Sequence, residues 1–175
     1  MPTLTWSDDL MLGIAEMDAT HVEFVDLLAL TEAASDIELL DRWRGMIAHT
    51  QTHFDREDHY MAATQFAASN CHSMQHRMVL EVMRQGLAMG ERGELAPIRQ
   101  MARELATWFI HHAQSMDAAL ATHLTKVGFD PLTEQIAHPA ALPSEVIHGC
   151  GGARCTPDDA PPPANDHLAN SADAA

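Results

Sequence analysis

The stretch HTQTHFDREDHYM, residues 49–61, contains three histidines and three acidic residues. Imidazole nitrogens and carboxylate oxygens are the side-chain ligands that first-row transition metals bind in proteins. Side chains four residues apart lie on one face of a helix, so His53 and Glu57 point the same way if this stretch is helical. The pair could therefore bind one metal ion from a single helix.

Further along the chain the same types of residue recur at helical spacing. His72 and His76 are four residues apart and share a face. His112 and Asp117 are five apart, an offset of about 140° around a helix axis, which lets both reach one cavity from different heights. His21 adds a single imidazole. Any one of these histidines alone is more often a surface or core residue, but the succession HxxxE, HxxxH and HxxxxD indicates a shared metal site.

Hydrophobic periodicity predicts the helices that would carry these residues. Capping residues, glycines and prolines mark the ends of four helices. The first helix covers residues 18–34, and the second starts at a capping box over residues 35–38 and runs to about Thr64. The third follows a cap at Ser69 or Asn70 and stops at Gly90 and Gly93, and the fourth covers residues 97–127. The apolar residues of the third helix are Met74, Met78, Val79, Val82 and Met83, which we assign to the core.

Four helices with short connections and no strand-like alternation predict an all-α, up-down-up-down four-helix bundle over residues 1–128. Residues 129–175 contain seven of the nine prolines and few large apolar side chains, so we expect a disordered Pro/Ala-rich tail. His148, Cys150 and Cys155 lie close together there. They could form an incomplete metal site or a labile disulfide, but incidental thiols in a flexible segment are the favoured interpretation, and we expect the tail to be dispensable for the bundle's function.

Composition excludes several partners. The formal net charge is −15 and Lys126 is the only lysine, so the chain is poorly suited to nucleic acids or anionic membrane surfaces. The amino terminus has no signal-peptide pattern and no apolar run approaches the roughly 20 residues that span a bilayer. Three cysteines are too few for a disulfide scaffold. We therefore expect a cytoplasmic protein.

The sequence resembles the hemerythrin family, in particular its single-domain bacterial members. The resemblance covers about residues 6–126 and is specific because its motifs occur together. They are Trp6, Gly13-Ile14 and Asp18 upstream of His21, HF..ED..M over His53 to Met61, H...H at His72 and His76, and W...H....D at Trp108, His112 and Asp117.

The resemblance implies a bundle that holds two iron ions joined by an oxo or hydroxo bridge. His72, His76 and His112 would bind one iron, His21 and His53 would bind the other, and Glu57 and Asp117 would bridge the two. The chain has Thr20 where the family usually has glutamine, so a hydrogen bond to the first ligand is in doubt, but no ligand is missing.

The resemblance also implies a function, reversible dioxygen binding. Two roughly octahedral irons offer about twelve positions; five imidazoles, two bridging carboxylates and the shared oxygen fill eleven. The last position falls on the iron with two histidines. Neutral imidazoles support high-valent iron less well than carboxylates, so reversible binding is favoured, and Trp108 and Phe54 could supply the walls of a dry oxygen pocket.

Such a protein would store oxygen, deliver it to an oxygen-consuming enzyme, or sense it. The alternatives are a di-iron enzyme acting on peroxide, oxygen or nitric oxide, and an iron-handling or structural metal bundle.

The remaining histidines do not have the spacing of these ligand motifs. His49 and His111 neighbour the ligands, but only His53 is paired with Glu57 and only His112 has Trp108 and Asp117 at the right spacing. We expect His59 and His123 to face solvent. Asp58 points about 100° away from Glu57, so it either supports a ligand or lies at the surface.

Overall fold

The computed structural model describes residues 2–66 and 71–145. Its α-helices are α1 (Ala15–Ala33), α2 (Leu39–Ala63), α3 (Cys71–Glu91), α4 (Ala96–His112) and α5 (Ala118–Val127), and a π-helical turn, Ala113–Asp117, joins α4 to α5 as one long helix. Two short 3-10 helices, Asp8–Leu10 and Pro139–Ala141, flank them. The described residues contain no strand beyond an isolated bridge between Phe129 and Ile136.

Each helix packs against its neighbour in sequence, and α4 closes the ring against α1. Short connections between consecutive helices leave neighbouring helices antiparallel. The predicted all-α four-helix bundle is thus confirmed. No helix in the described ranges is both long enough and apolar enough to cross a membrane.

Local side-chain contacts set the helix starts. At the start of α2, Ser35 donates its amide and its hydroxyl to Glu38 Oε2, at 3.1 and 2.6 Å, and the amide bond is one of the two hydrogen bonds of the predicted capping box. Regular helix begins after this turn, at Leu39. Helix α1 begins at Ala15, three residues before the predicted start, so Asp18 lies inside it. The Asp18 carboxylate accepts the amides of Leu12 and Gly13 and fixes the preceding turn.

The core consists of two apolar clusters. One contains Phe24, Trp43, Met83, Ile98 and Phe109 among others. The second contains Met17, Tyr60, Met61, Leu120 and Leu124. Along α1, α2 and the long helix formed by α4 and α5, the predicted metal ligands fall between residues of the first cluster and residues of the second. On α3 the ligands His72 and His76 lie in the first two turns, ahead of the first-cluster residue Met83. The ligands therefore form a polar layer inside an otherwise apolar interior.

One part of the predicted core is wrong. On α3, Met83 is buried, but Met74, Met78 and Val82 are 49%, 61% and 48% exposed. These three residues lie four apart along one face of the helix. They line an open groove of about 510 Å³ between α3 and α4 that also reaches Trp108.

The chain continues to pack against the bundle after α5. Gly128 has a left-handed conformation, φ +64°, and ends the helix. Phe129 is buried beside Tyr60, with ring centroids 5.3 Å apart, and the amide of His138 donates to the carbonyl of Val127. Contacts with the second apolar cluster thus extend past residue 128. The division into a bundle of residues 1–128 and a tail stays a prediction, and most of that tail, including His148, Cys150 and Cys155, lies outside the described residues.

Candidate metal centre

The seven residues predicted as metal ligands all lie in the polar layer. None is more than 3% exposed, and they are His21 on α1, His53 and Glu57 on α2, His72 and His76 on α3, His112 on α4 and Asp117 at the end of the π-helical turn. Charged side chains are almost never buried this completely unless they are paired or bind a metal.

Glu57 divides its two oxygens between two sets of imidazoles. Its Oε1 lies 3.1 Å from His53 Nε2 and 3.8 Å from His21 Nε2. Its Oε2 lies 3.4 Å from the Nε2 atoms of both His72 and His76. One carboxylate therefore reaches the imidazoles of α1 and α2 on one side and those of α3 on the other.

The two carboxylate oxygens of Asp117 also face different sets of imidazoles. Its Oδ2 lies 3.4 Å from His21 Nε2, while its Oδ1 lies 2.9 Å from His72 Nε2 and 3.2 Å from His112 Nε2. The donor atoms consequently form two groups that share both carboxylates. The first is His21, His53, Glu57 and Asp117, and the second is His72, His76, His112, Glu57 and Asp117. We call these the two-histidine group and the three-histidine group.

The π-helical turn explains how His112 and Asp117 meet. In a regular α-helix residues five apart differ by about 140° around the axis. A π-helical turn closes i→i+5 hydrogen bonds and so holds one more residue per turn. The turn Ala113–Asp117 lies directly between the two residues, and it brings a pair spaced five apart onto one face.

Several buried nitrogen and oxygen atoms of the cluster have no hydrogen-bond partner, which is expected of atoms that bind a metal ion. Buried atoms without a hydrogen-bond partner include Nε2 of His21 and His72, Oε2 of Glu57 and both carboxylate oxygens of Asp117. Buried polar atoms in proteins are nearly always hydrogen-bonded, so a group of buried nitrogen and oxygen atoms that face one another without hydrogen bonds is unusual. The donor set of imidazoles and carboxylates suits a first-row transition metal.

His76 and His112 give a second test of this fit. Their Nε2 atoms are 3.1 Å apart. His76 Nδ1 lies 3.0 Å from Asp58 Oδ1, and His112 Nδ1 lies 3.2 Å from Gln75 Oε1. Both Nδ1 atoms face acceptors, which favours the tautomer with the proton on Nδ1. With both rings in that neutral form, two Nε2 lone pairs would face each other. A cation bound by both nitrogens would remove this repulsion, so the residues fit a metal ion.

Protons take the place of such a cation when no metal is bound. Burial lowers the pKa of His21 and of His72, but the nearby carboxylates of Asp117 and Glu57 favour the protonated rings more strongly and raise each pKa from 6.5 to about 9. Burial likewise opposes ionisation of Glu57, yet the neighbouring His53 and His21 hold its pKa well below the usual range. The cluster is therefore built to hold positive charge.

Aromatic rings cover both groups. Phe54 stacks on His76 with centroids 3.9 Å apart, and Trp108 stacks on His112 at 4.4 Å. The two predicted pocket walls thus lie mainly against the three-histidine group. Phe109 meets His21 edge-on at 5.0 Å and stacks on Phe24 at 4.4 Å.

Phe24 and Phe109 were not predicted as part of the site. Both lie three residues from a ligand, Phe24 after His21 and Phe109 before His112. Helical spacing could have found them, because residues three apart lie on neighbouring parts of one helix face.

The other histidines in residues 2–66 and 71–145 lie outside the two groups. His49 is hydrogen-bonded to the carbonyl of Thr20 at 3.2 Å, His111 is exposed, and His59 is half exposed next to Glu134. The expectation for His123 is wrong. It is 7% exposed and bonds the carbonyl of Thr64 at 2.9 Å, because it shares the core face of α5 with Leu120 and Leu124.

Asp58 contacts Nδ1 of the predicted ligand His76 and is 38% exposed at its side chain. Thr20, at the position where a glutamine was expected, is buried and donates its hydroxyl to the carbonyl of Glu16 in its own helix.

Comparisons with known proteins agree with this geometry. Residues 12–124, which include all seven clustered residues, match the family described as Hemerythrin HHE cation binding domain. A bacteriohemerythrin of Ralstonia nicotianae (strain ATCC BAA-1114 / GMI1000) is 35% identical over 137 residues, which cover 78% of this chain and 100% of that relative. No solved structure matches the chain significantly.

Proposed function

This chain belongs to the hemerythrin family, and from that premise we propose that it binds dioxygen reversibly at a pair of iron ions. The observation that carries the proposal is the division of Glu57 and Asp117, each of which has one oxygen in the two-histidine group and one in the three-histidine group. A mononuclear site does not need this arrangement. Two metal ions bridged by both carboxylates do.

The ligands divide between the two ions as the groups do. His72, His76 and His112 would hold one iron, His21 and His53 the other, and the two carboxylates would hold both. A reduced iron pair bound here, with an oxo or hydroxo bridge, would supply the electrons that dioxygen needs for binding and take them back on its release. The two-histidine group contributes one imidazole fewer, so an iron held there would have room for dioxygen.

The chain's own residues would keep that space dry. Phe24 and Phe109 stack on each other beside His21, and all three are at most 1% exposed. Water and protons that reach the site would let oxygen leave as hydrogen peroxide, with two electrons taken from the irons and two protons from water, and so leave the irons oxidised; an apolar wall therefore favours reversible release. Phe54 and Trp108 would do the same for the imidazoles of the three-histidine group.

A reversible carrier of this kind would serve oxygen storage, sensing, or delivery to an oxygen-consuming enzyme, with dioxygen itself as the ligand and the cytoplasm as the compartment. The clustered ligands are rich in histidine and contain only two carboxylates. Oxygen-activating di-iron bundles instead use a carboxylate-rich site with Glu-x-x-His pairs. The donor set therefore favours the carrier over the enzyme.

The test is to measure iron content and then follow the visible spectrum of the reduced protein through cycles of aeration and argon. We expect about two irons per chain and a colour change that reverses in each cycle. Irreversible oxidation at each aeration, or turnover with peroxide or nitric oxide, would instead establish the enzyme. A colourless protein that binds one zinc would contradict both proposals.

A further inference from the structure

The five imidazoles of the cluster differ in what holds their outer nitrogen, Nδ1. Asp58 Oδ1 lies 3.0 Å from Nδ1 of His76, and Gln75 Oε1 lies 3.2 Å from Nδ1 of His112. In the described ranges no hydrogen-bond partner faces Nδ1 of the other three imidazoles, which are His21, His53 and His72. Both supported imidazoles belong to the three-histidine group. The two-histidine group has no support of this kind.

The same two imidazoles are also held by stacking. Phe54 lies almost parallel to the His76 ring, with an interplanar angle of 6°, and Trp108 lies at 25° to the His112 ring. A ring that is stacked on one face and hydrogen-bonded at Nδ1 has few other orientations available. Its Nε2 is therefore aimed at the metal position before any metal arrives.

A hydrogen bond to Nδ1 also changes the imidazole as a ligand. It fixes the tautomer with Nε2 free for the metal, and a carboxylate acceptor makes the ring a stronger donor. Asp58 is such an acceptor, whereas Gln75 is neutral and should act more weakly. Loss of a partner of this type usually lowers metal affinity by about 10–100-fold.

We propose that Asp58 and Gln75 are positioning residues that make the two metal positions unequal, so that the three-histidine group binds metal first and releases it last. This inference rests on the metal binding in the proposed function, and it adds an order of loading set by two residues outside the ligand set. Asp58 lies next to the ligand Glu57 on α2, and Gln75 lies next to the ligand His76 on α3. Each residue supports an imidazole of the neighbouring helix.

The experiment measures the release of Co²⁺ from the fully loaded protein to an excess of chelator. We expect two phases of equal amplitude in the wild-type chain. Asp58→Asn, which keeps the size but removes the charge, should accelerate the slow phase about 10–100-fold and leave the fast phase unchanged. Gln75→Leu should act in the same direction with a smaller effect.

Matched controls separate this effect from a general loss of charge or of a glutamine. Asp55→Asn removes an exposed acid of the same helix whose contact is Gln51, and Gln85→Leu changes an exposed glutamine of α3 whose contact is Glu81. Both variants should keep wild-type release in both phases. Equal acceleration in Asp55→Asn and Asp58→Asn would overturn the proposal.

A spectroscopic measurement reports on the hydrogen bond itself. In the Co²⁺-loaded protein the Nδ1–H protons of bound imidazoles give shifted NMR resonances that vanish when they exchange with water. Those of His76 and His112 should exchange slowest. Asp58→Asn should speed exchange at His76 alone, and Asp58→Glu should restore part of the protection.

The failures of the two proposals differ. A protein that binds no metal contradicts the proposed function. A protein that binds two Co²⁺ ions and releases them in one phase, or in two phases that Asp58→Asn leaves unchanged, contradicts only the unequal positions.

Discussion

At the residue scale Glu57 and Asp117 differ from every imidazole of the cluster, because each of them belongs to both groups. Glu57→Gln and Asp117→Asn keep the shape of the side chain but remove a charge that would offset two cations. We expect each variant to lose most of its iron from both positions and to lose the reversible colour change. Metal analysis after gel filtration checks this.

His111→Ala is the matched control, because His111 is exposed and adjacent in sequence to the ligand His112. It should retain full iron content, whereas His112→Ala should not. Equal losses in these two variants would show that the ligand register of the fourth helix is wrong.

A second prediction concerns protons at His21 and His72, whose pKa values the carboxylates of Asp117 and Glu57 raise to about 9 against the effect of burial. These raised values stabilise the metal-free fold fully below pH 6.5, and the contribution is lost as the pH rises through about 9. Metal must displace the same protons, because it binds neutral imidazole.

Metal uptake at about pH 7 should therefore release about two more protons than uptake at about pH 10. Calorimetry of Co²⁺ binding in buffers with different ionisation enthalpies measures this number. The same proton release at both pH values would contradict the prediction.

The spacing of residues predicted which ligand candidates lie together, since HxxxE and HxxxH place pairs on one helix face whatever the rest of the fold does. It could not predict the surroundings of the ligands. Phe109 contacts His21 and Phe24 because α1 and α4 pack together, and Asp58 contacts His76 across α2 and α3. Contacts between helices depend on rotation about each axis, which one sequence does not fix.

At the element scale, the fourth helix shows what periodicity cannot reveal. The predicted helix of residues 97–127 is continuous, but it contains the π-helical turn Ala113–Asp117. The spacing of five between His112 and Asp117 was the available signal, since it misses the α-helical period by a large angle. On α3, by contrast, periodicity correctly indicated a helix but gave the wrong burial. The apolar stripe of Met74, Met78 and Val82 faces a groove instead of the core.

Deleting Gln114, an exposed residue inside the π-helical turn, tests what that turn does. The deletion lets α4 and α5 join as a regular α-helix with the same faces toward the core, but it shifts Asp117 by about 1.5 Å along the axis. We expect the metal-free variant to be as helical and as heat-stable as wild type, and to bind metal much more weakly at both positions.

Gln114→Ala, which keeps the length of the turn, serves as the control and should bind metal normally. Circular dichroism reports the helicity, and a metal titration reports the affinity. Full metal affinity in the deletion variant would mean that the turn is not needed to place Asp117.

At the scale of the whole molecule, the apolar clusters and the polar layer have different tasks. The clusters on either side of the layer supply most of the hydrophobic burial, and removing apolar surface from water is the main source of folding free energy. The polar layer contributes less, because its buried atoms are not fully hydrogen-bonded without metal. The clusters thus stabilise a fold in which the buried ligand atoms lack hydrogen bonds, and bound metal would offset the folding free energy lost there.

This separation predicts that the end of the chain affects stability but not the metal site. All seven clustered residues lie between His21 and Asp117, whereas Phe129, Ile136 and Leu142 pack against the second apolar cluster.

A chain truncated after Glu145 should keep its iron content, its spectrum and its thermal midpoint. A chain truncated after Gly128 should keep its iron but unfold at a lower temperature, because burial of Phe129 alone is worth about 1.5–3 kcal/mol, or roughly 5–10 °C for a domain of this size. Replacing Phe129 by alanine in the full-length chain should reproduce much of that loss, which separates the lost aromatic contact from the shortening of the chain. Iron loss in either truncated protein would mean that residues beyond the predicted boundary at 128 help to hold the metal centre, and the assignment of residues 1–128 as the complete metal-binding unit would be wrong.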